Sequence, residues 1–500
     1  MRNFSRILVT ALLAVPIAGT ALEAPQEHSH RAPEKLGTVS FSISCRPEVR
    51  RQFERAVALL HSFAYADAEK AFRGVAEQDS KCAMAHWGMA MTYFHQLWEP
   101  PISPSAISNG QREIQVAQSD SAGTERERKF INALSLIYKD AGSVAYRARA
   151  ANYERAMQEL ASENQKDAET QVFYALALLA NTSPADKTHA NQKKAADLLE
   201  PLFRAYPQHP GIPHYLIHAY DNAELAQRGL PAAKAYAQIA ASTPHALHMP
   251  SHIFTRLGLW DESIASNEAA RNMARQQGDI GEELHAMDYL VYAYLQSGRD
   301  AEAAQVIQQM RGMSKLNTGE FKVGYASTAM PIRYAMESAR WADAAAIIAP
   351  EEAPPYVAAI AVWARGLGLA RSGHSAEARA ETTRLRELES QLRTSGSEYW
   401  AGQVDILARE ILAWSSQADG KSQQAAEMLR EAADLEDATE KSPVTPGPIL
   451  PSREQLGYLL MEQHQADLAL QEFKVVLANA PGRRGALQGA ARAAELSSRK

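Results

Sequence analysis

Helical segments separated by turn residues recur along this chain at a spacing of 34 residues, and that recurrence restricts the fold more than any other feature of the sequence. Pro210-x3-His214-x3-His218 returns as Pro244-x3-His248-x3-His252, and His61 and His95 stand the same distance apart. Residues 63–79, FAYADAEKAFRGVAEQD, place an aromatic residue, Ala68, Phe72 and Val75 at helical spacing. The same shape returns at 258–270, 298–310, 340–348 and 466–481, while 82–93 and 168–179 supply helices of a second kind. A single helix pair of this length cannot bury its apolar stripe alone. Successive pairs must stack, each covering its neighbour.

The alanine, aromatic and small-residue spacing with a trailing proline resembles the second helix of the tetratricopeptide (TPR) repeat. That resemblance implies an all-α fold: a right-handed superhelical solenoid of antiparallel helix pairs, with about 20–24 helices. It covers residues 47–500, with loop insertions expected near 98–110, 350–355 and 437–451. The last of these, DATEKSPVTPGPILP, either roofs a binding face or acts as a spacer. The chain also resembles a group of exported bacterial TPR proteins that share HPG…HYLIHAYD at 209–221 and HALHMPSHIF at 245–254. CAMAHWGMAM at 82–91, VTPGPI at 444–449 and GALQGAARAAE at 485–495 extend the match. This second resemblance implies the same fold and export from the cytoplasm.

Residues 1–21 read as a signal peptide, with Arg2 and Arg6 before the apolar run Ile7–Ile17 and cleavage expected after Ala21. Residues 22–46 read as a flexible leader, and the mature protein is expected to be soluble and periplasmic or extracellular, without a membrane span. Lys and Arg number 52 against 58 for Asp and Glu, and the net charge of -6 provides no basic field for nucleic acid. Export gives the two cysteines meaning. Cys45 precedes one helical segment and Cys82 opens another, so a disulfide between them is expected, the alternative being two buried thiols.

Seven of the 15 histidines fall within residues 209–285: His209, His214, His218, His245, His248, His252 and His285. Each Pro-x3-His-x3-His unit sets two imidazoles at i and i+4 on one helix face, with proline in the first turn where its missing N–H costs nothing. In a TPR frame opening at Pro210 and Pro244 the fifth and ninth positions line the concave groove. The resemblance therefore implies that His214, His218, His248 and His252 point into it. His245 takes a groove-facing second position, and a frame opening at Leu284 adds His285, Asp288 and Tyr292. Clustered imidazole without thiolate suits a transition metal, Cu, Zn, Ni or Fe, and argues against Ca or Mg. The expected ligands are His214, His218, His248, His252, His285 and Asp288, with His245 beside them. Tyr215, Tyr220 and Asp221 are placed to fix imidazole tautomers, and His61 and His95 to line the groove or pack beneath it.

Two readings of function stay open at this level. In one, the groove binds a transition metal for redox or hydrolytic chemistry on a small molecule, or for metal handling. In the other, the chain is an adaptor that holds a peptide or envelope protein in the same groove, with histidines as polar contacts. A scaffold without ligand leaves the repeated histidine pairs unexplained. Nucleotide binding is excluded: Gly420-Lys421-Ser422 lacks the earlier glycine, since Ser415 stands there, and Gly366-Leu367-Gly368 lies in a helical segment. No H-E-x-x-H, C-x-x-C-H or G-x-S-x-G motif occurs.

Overall fold

The computed structural model describes residues 34–97, 102–119, 123–314, 316–350 and 353–499. The expected signal peptide and the leader up to residue 33 lie outside these, as do residues 98–101 of the first expected insertion and 351–352 of the second. All regular structure among the described residues is helical: 24 α-helical segments and one 3-10 turn, with no strand. Two of the segments, Pro244–His248 and Pro250–Arg256, belong to one rod. Met249 keeps helical dihedrals (φ -53°, ψ -35°), and only the N–H that Pro250 lacks interrupts the ladder.

Consecutive helices pack on one another along the chain, as the pairs Arg50–His61 with Tyr65–Gln78 and Trp260–Gln277 with Ile280–Gln296 illustrate. Large residues of one helix fill notches left by glycine on the next. A Cβ at Gly88 would come within 2.4 Å of the Phe72 ring, and one at Gly489 within 2.3 Å of Phe473. Turns between helices use left-handed backbone, as at Gly278 (φ +74°). Helix starts are held by side-chain caps. Asp167 and Asp279 accept from the first free N–H groups, and Thr124 forms a reciprocal capping box with Glu127. The helix Ile280–Gln296 is buried from Gly281 to Gln296, touching Trp260–Gln277, Phe321–Glu337 and Arg484–Ser498.

Three expectations need correction. From residue 35 to 46 the leader is not flexible. Leu36, Val39 and Phe41 are buried, and Phe41 packs on Phe53, Trp87 and Phe130 at ring-centroid distances of 5.4–5.7 Å. Thr38 N–H donates to the Gln208 carbonyl (2.8 Å), and Ser242 N–H donates to the Lys35 carbonyl (3.0 Å). The alternation of Val39, Phe41 and Ile43 with polar residues is the two-residue period of an extended strap, which helical periodicity overlooks. In the insertion expected at 98–110, residues 104–110 open the helix Pro104–Ser119, because proline suits a first helical turn. Pro355 likewise opens the helix Pro355–Arg371 within the insertion expected at 350–355.

Residues 438–451 form a loop between the helices Ser422–Asp437 and Ser452–Glu462, and it is fastened at several points. Glu440 N–H donates to the Pro184 carbonyl (2.7 Å), Lys441 reaches Asp221, and Arg333 donates to the carbonyls of Gly447 and Pro448. The C-terminal helices also return to the middle of the chain. Trp260 Nε1–H donates to the Gly482 carbonyl (3.2 Å), and Arg484 N–H donates to Gln296 Oε1 (2.9 Å). Cys45 and Cys82 are joined by a disulfide, with Cα atoms 4.9 Å apart.

Candidate metal centre

Helix Gly211–Tyr220 carries His214 and His218, the rod 244–256 carries His245, His248 and His252, and helix Ile280–Gln296 carries His285. These rings do not line an open groove. His214 and His248 are fully buried, and His245, His252 and His285 are 2–3% exposed. Nor do they meet at one point. They divide into two groups of three, His214 with His218 and His245, and His248 with His252 and His285; within each group one nitrogen from each ring lies within 4.8 Å of the other two.

In the second group hydrogen bonding fixes the tautomers. His252 Nδ1 stands 2.9 Å from Asp221 Oδ2. That carboxylate is held well below its usual range, against its own burial, by Lys441 and Arg256. A carboxylate only accepts, so His252 Nδ1 carries the proton. His248 Nδ1 stands 2.6 Å from Asn267 Oδ1, and Asn267 Nδ2–H donates to the Ser263 carbonyl (2.8 Å), which leaves the amide oxygen facing the ring. Burial lowers the pKa of both imidazoles, so both are neutral. The two Nε2 atoms, each with a lone pair, then face one another at 3.0 Å. With both rings in the neutral form that burial favours, no hydrogen lies between them. Tyr289 packs edge-on against His248 (4.7 Å between centroids) and sets its hydroxyl 3.5 Å from His252 Nε2.

In the first group the tautomer of His214 is fixed in the same way. His214 Nδ1 donates to the backbone carbonyl of His61 (2.6 Å), so its Nε2 lone pair faces His218 Nε2 at 3.1 Å and His245 Nε2 at 3.2 Å. Burial holds His214 and His218 well below their ordinary pKa. The Phe63 ring covers the three imidazoles at 4.4–5.9 Å, and its backbone takes the left-handed conformation (φ +53°), rare for an aromatic residue. Three nitrogens bound tetrahedrally at about 2.0–2.1 Å stand about 3.3–3.4 Å apart, and the two spacings to His214 Nε2, 3.1 and 3.2 Å, are close to that.

A third cluster with ligand spacing, His61, Glu169 and His209, has a different chemistry. Gly211 N–H donates to His209 Nδ1 (3.2 Å), so His209 Nε2 carries the proton and donates to Glu169 Oε1 (2.9 Å). His61 Nε2 donates to Glu169 Oε2 (3.0 Å), and its Nδ1 accepts from the Tyr215 hydroxyl (2.9 Å). The two histidines overcome burial and pull the Glu169 carboxyl down to about 2. Each nitrogen facing inward is already a donor to an ionised carboxylate. This cluster is a brace: it fixes His61, whose carbonyl fixes His214.

Several residues take places other than those expected. Asp288 joins neither histidine group; its carboxyl group pairs with the buried Arg333 guanidinium at 3.2 and 3.3 Å. Tyr292 packs beside Arg333 and Arg483, and Tyr220 donates to Glu200; His95, for which packing was one of the two expectations, stacks on Tyr65 at 4.2 Å. His245 belongs to the first group instead of standing beside it. Glu169, Asn267, Glu282 and Tyr289 escaped sequence reasoning. Glu169 had left a signal, the only charged residue in the mostly apolar helix Ala168–Ala180; Asn267 left none.

No protein-family model matches this chain, and no curated protein matches it. Among solved structures it is similar to the TPR domain of P58(IPK), with 12% identity, covering 90% of this chain and 99% of that one (TM-score 0.24). It is also similar to yeast Tom70, with 11% identity over 89% of this chain and 88% of that one (TM-score 0.31). A structure of Naa15/Naa10 bound to HypK-THB shows 10% identity over 84% and 62% (TM-score 0.26). At TM-scores this low the likeness adds nothing to what the chain's own structure gives, an all-α array of helices packed in consecutive pairs.

Proposed function

We propose that this chain is a metal-binding helical solenoid whose buried imidazoles hold a transition-metal ion, Cu, Zn or Fe, for metal-dependent catalysis or metal handling. The observation that supports this most is the 3.0 Å approach of His248 Nε2 and His252 Nε2, both committed by Asn267 and Asp221 to presenting lone pairs. Two lone pairs at that distance repel, and a cation between them turns the repulsion into ligation. The carboxylate behind His252 is the arrangement that orients and strengthens a metal-binding imidazole. Absence of sulfur from both groups favours the borderline metals that imidazole suits.

An adaptor that grips a peptide through histidines needs those rings at a surface, and the burial of five of the six speaks against it. Export to an oxidising compartment is part of the same proposal, supported by the Cys45–Cys82 bridge and the character of residues 1–21. No helix among the described residues is long and apolar enough to cross a membrane.

Elemental analysis of the untagged protein, followed by titration with Cu(II) and Zn(II) at neutral pH, tests the reading. Stoichiometric metal that is lost from the doubly substituted H248A/H252A protein is expected. A wild-type protein that carries no transition metal and gains none on titration overturns it.

A further inference from the structure

The two histidine groups are neighbours. His218 and His252 have ring centroids 6.1 Å apart, and His245 and His248 6.2 Å apart, whereas His214 stands 4.9 Å from His218 and 5.0 Å from His245, and His248 5.0 Å from His252 and 4.3 Å from His285. The six rings therefore form one continuous array with two inner foci. The rod 244–256 ties the foci together, because His245 turns to the first and His248 and His252 to the second.

Both foci also share a supporting plan. In the second, His252 rests on Asp221, and Asp221 is held by Lys441 at 2.8 Å. In the first, His245 Nδ1 faces Glu282 Oε2 at 3.6 Å, and Glu282 is paired with Lys322. Each focus thus has three imidazoles, one buried carboxylate behind an imidazole, and one lysine behind the carboxylate. A carboxylate behind an imidazole orients and strengthens it as a ligand, and each focus has its own. A single-ion site has no use for the second set.

From this duplication we infer that the centre is dinuclear: one transition-metal ion at His214, His218 and His245 and a second at His248, His252 and His285, near enough to share one small oxygen-donor ligand between them. The inference rests on the metal-binding reading above and adds the number of ions and their coupling. Three protein nitrogens per ion leave an open coordination position at each focus, the condition for a shared ligand and for two-ion chemistry on it.

Copper(II) alone serves as the probe, added to the full-length wild-type protein. Metal content is measured after gel filtration, and electron paramagnetic resonance counts the unpaired spins. Two coppers per chain with an integrated signal well below two spins is the expected result. H245Q and H285Q, each disabling one focus, are expected to bind one copper and to restore a signal of one full spin. One copper per wild-type chain, or two coppers with two full independent spins, overturns the dinuclear inference and leaves the metal-binding reading standing. No bound copper overturns both. The wild-type measurement decides the question even if a variant fails to fold.

Discussion

Lys441 Nζ lies 2.8 Å from Asp221 Oδ2, joining two buried groups 220 residues apart in the chain. The same carboxylate accepts from Arg256 Nε–H and from His252 Nδ1–H, each at 2.9 Å. The loop 438–451 thereby acts on an imidazole that it does not touch. Removing the carboxylate with D221A is expected to weaken metal binding about 10–100-fold, the usual effect of losing a ligand's hydrogen-bond partner. K441M leaves Arg256 in place, so a loss of about tenfold or less is expected. Competition with a chromophoric chelator measures both. Equal affinities for D221A and wild type would mean that Asp221 supports only the fold.

Substitution in the Glu169 brace should separate stability from metal content. E169Q removes an ionised acceptor from two buried imidazole donors, and a hydrogen bond to a charged group is worth about 1.5–3 kcal/mol. Denaturant unfolding should show that loss, while copper stoichiometry at saturation stays at the wild-type value. Loss of one copper per chain in a folded E169Q protein would place Glu169 among the ligands.

Glu410 predicts a pH dependence. Burial pushes its carboxyl up to about 7, although Ser452 and Trp363 bond to it, and the neighbouring Glu436 is raised as well. A carboxyl with a folded pKa above its unfolded value favours the folded state below about pH 4.5, and that advantage is lost as pH rises through 7. Wild-type stability is therefore expected to fall between pH 5 and pH 8. E410Q, which resembles the protonated acid, should flatten that slope and melt higher than wild type at pH 8. Parallel melting curves for the two proteins across this range would count against the assignment.

The strap and its disulfide make a fourth case. Closing the loop between Cys45 and Cys82 constrains the unfolded chain by about 4 kcal/mol on chain-entropy grounds. C82S is expected to lose most of that. F41A, which empties a site enclosed by Phe53, Trp87, Phe130 and Phe173, should cost about 3–5 kcal/mol. Chemical denaturation measures both, and a loss under 1 kcal/mol for F41A would restore the picture of a loose leader.

Helix pairing was legible because its signal is local: a glycine or proline at a turn and an aromatic three or four positions from a small residue are visible in any window of the chain. The 34-residue displacement of the histidine pairs was equally plain. Partner identity was not, since it depends on contacts that no spacing records. Asp288 holds the same frame position as His214 and His248, yet a buried Arg333 lies 45 residues downstream and takes its carboxylate. Asn267 decides the tautomer of His248 from a helix whose sequence looks like ordinary surface. The strap was missed for another reason, because its two-residue period is invisible to a search for helical faces.

Chain order gives the closing contacts a meaning in time. All six imidazoles have been made once residue 285 is complete, whereas Lys441, Gly482 and Arg484, which fasten the later loop and helices across them, come last. A stack open at both ends can fray one repeat at a time. This one is tied from its end back to its middle, so its final helices cannot peel away without tearing contacts at residues 221, 260 and 296. On the metal-binding reading the consequence is a schedule: ions are expected to enter the foci before the last third of the chain docks, and to leave only when it lets go. Copper uptake should accordingly be faster during refolding than into the folded protein, a difference that stopped-flow mixing would read directly.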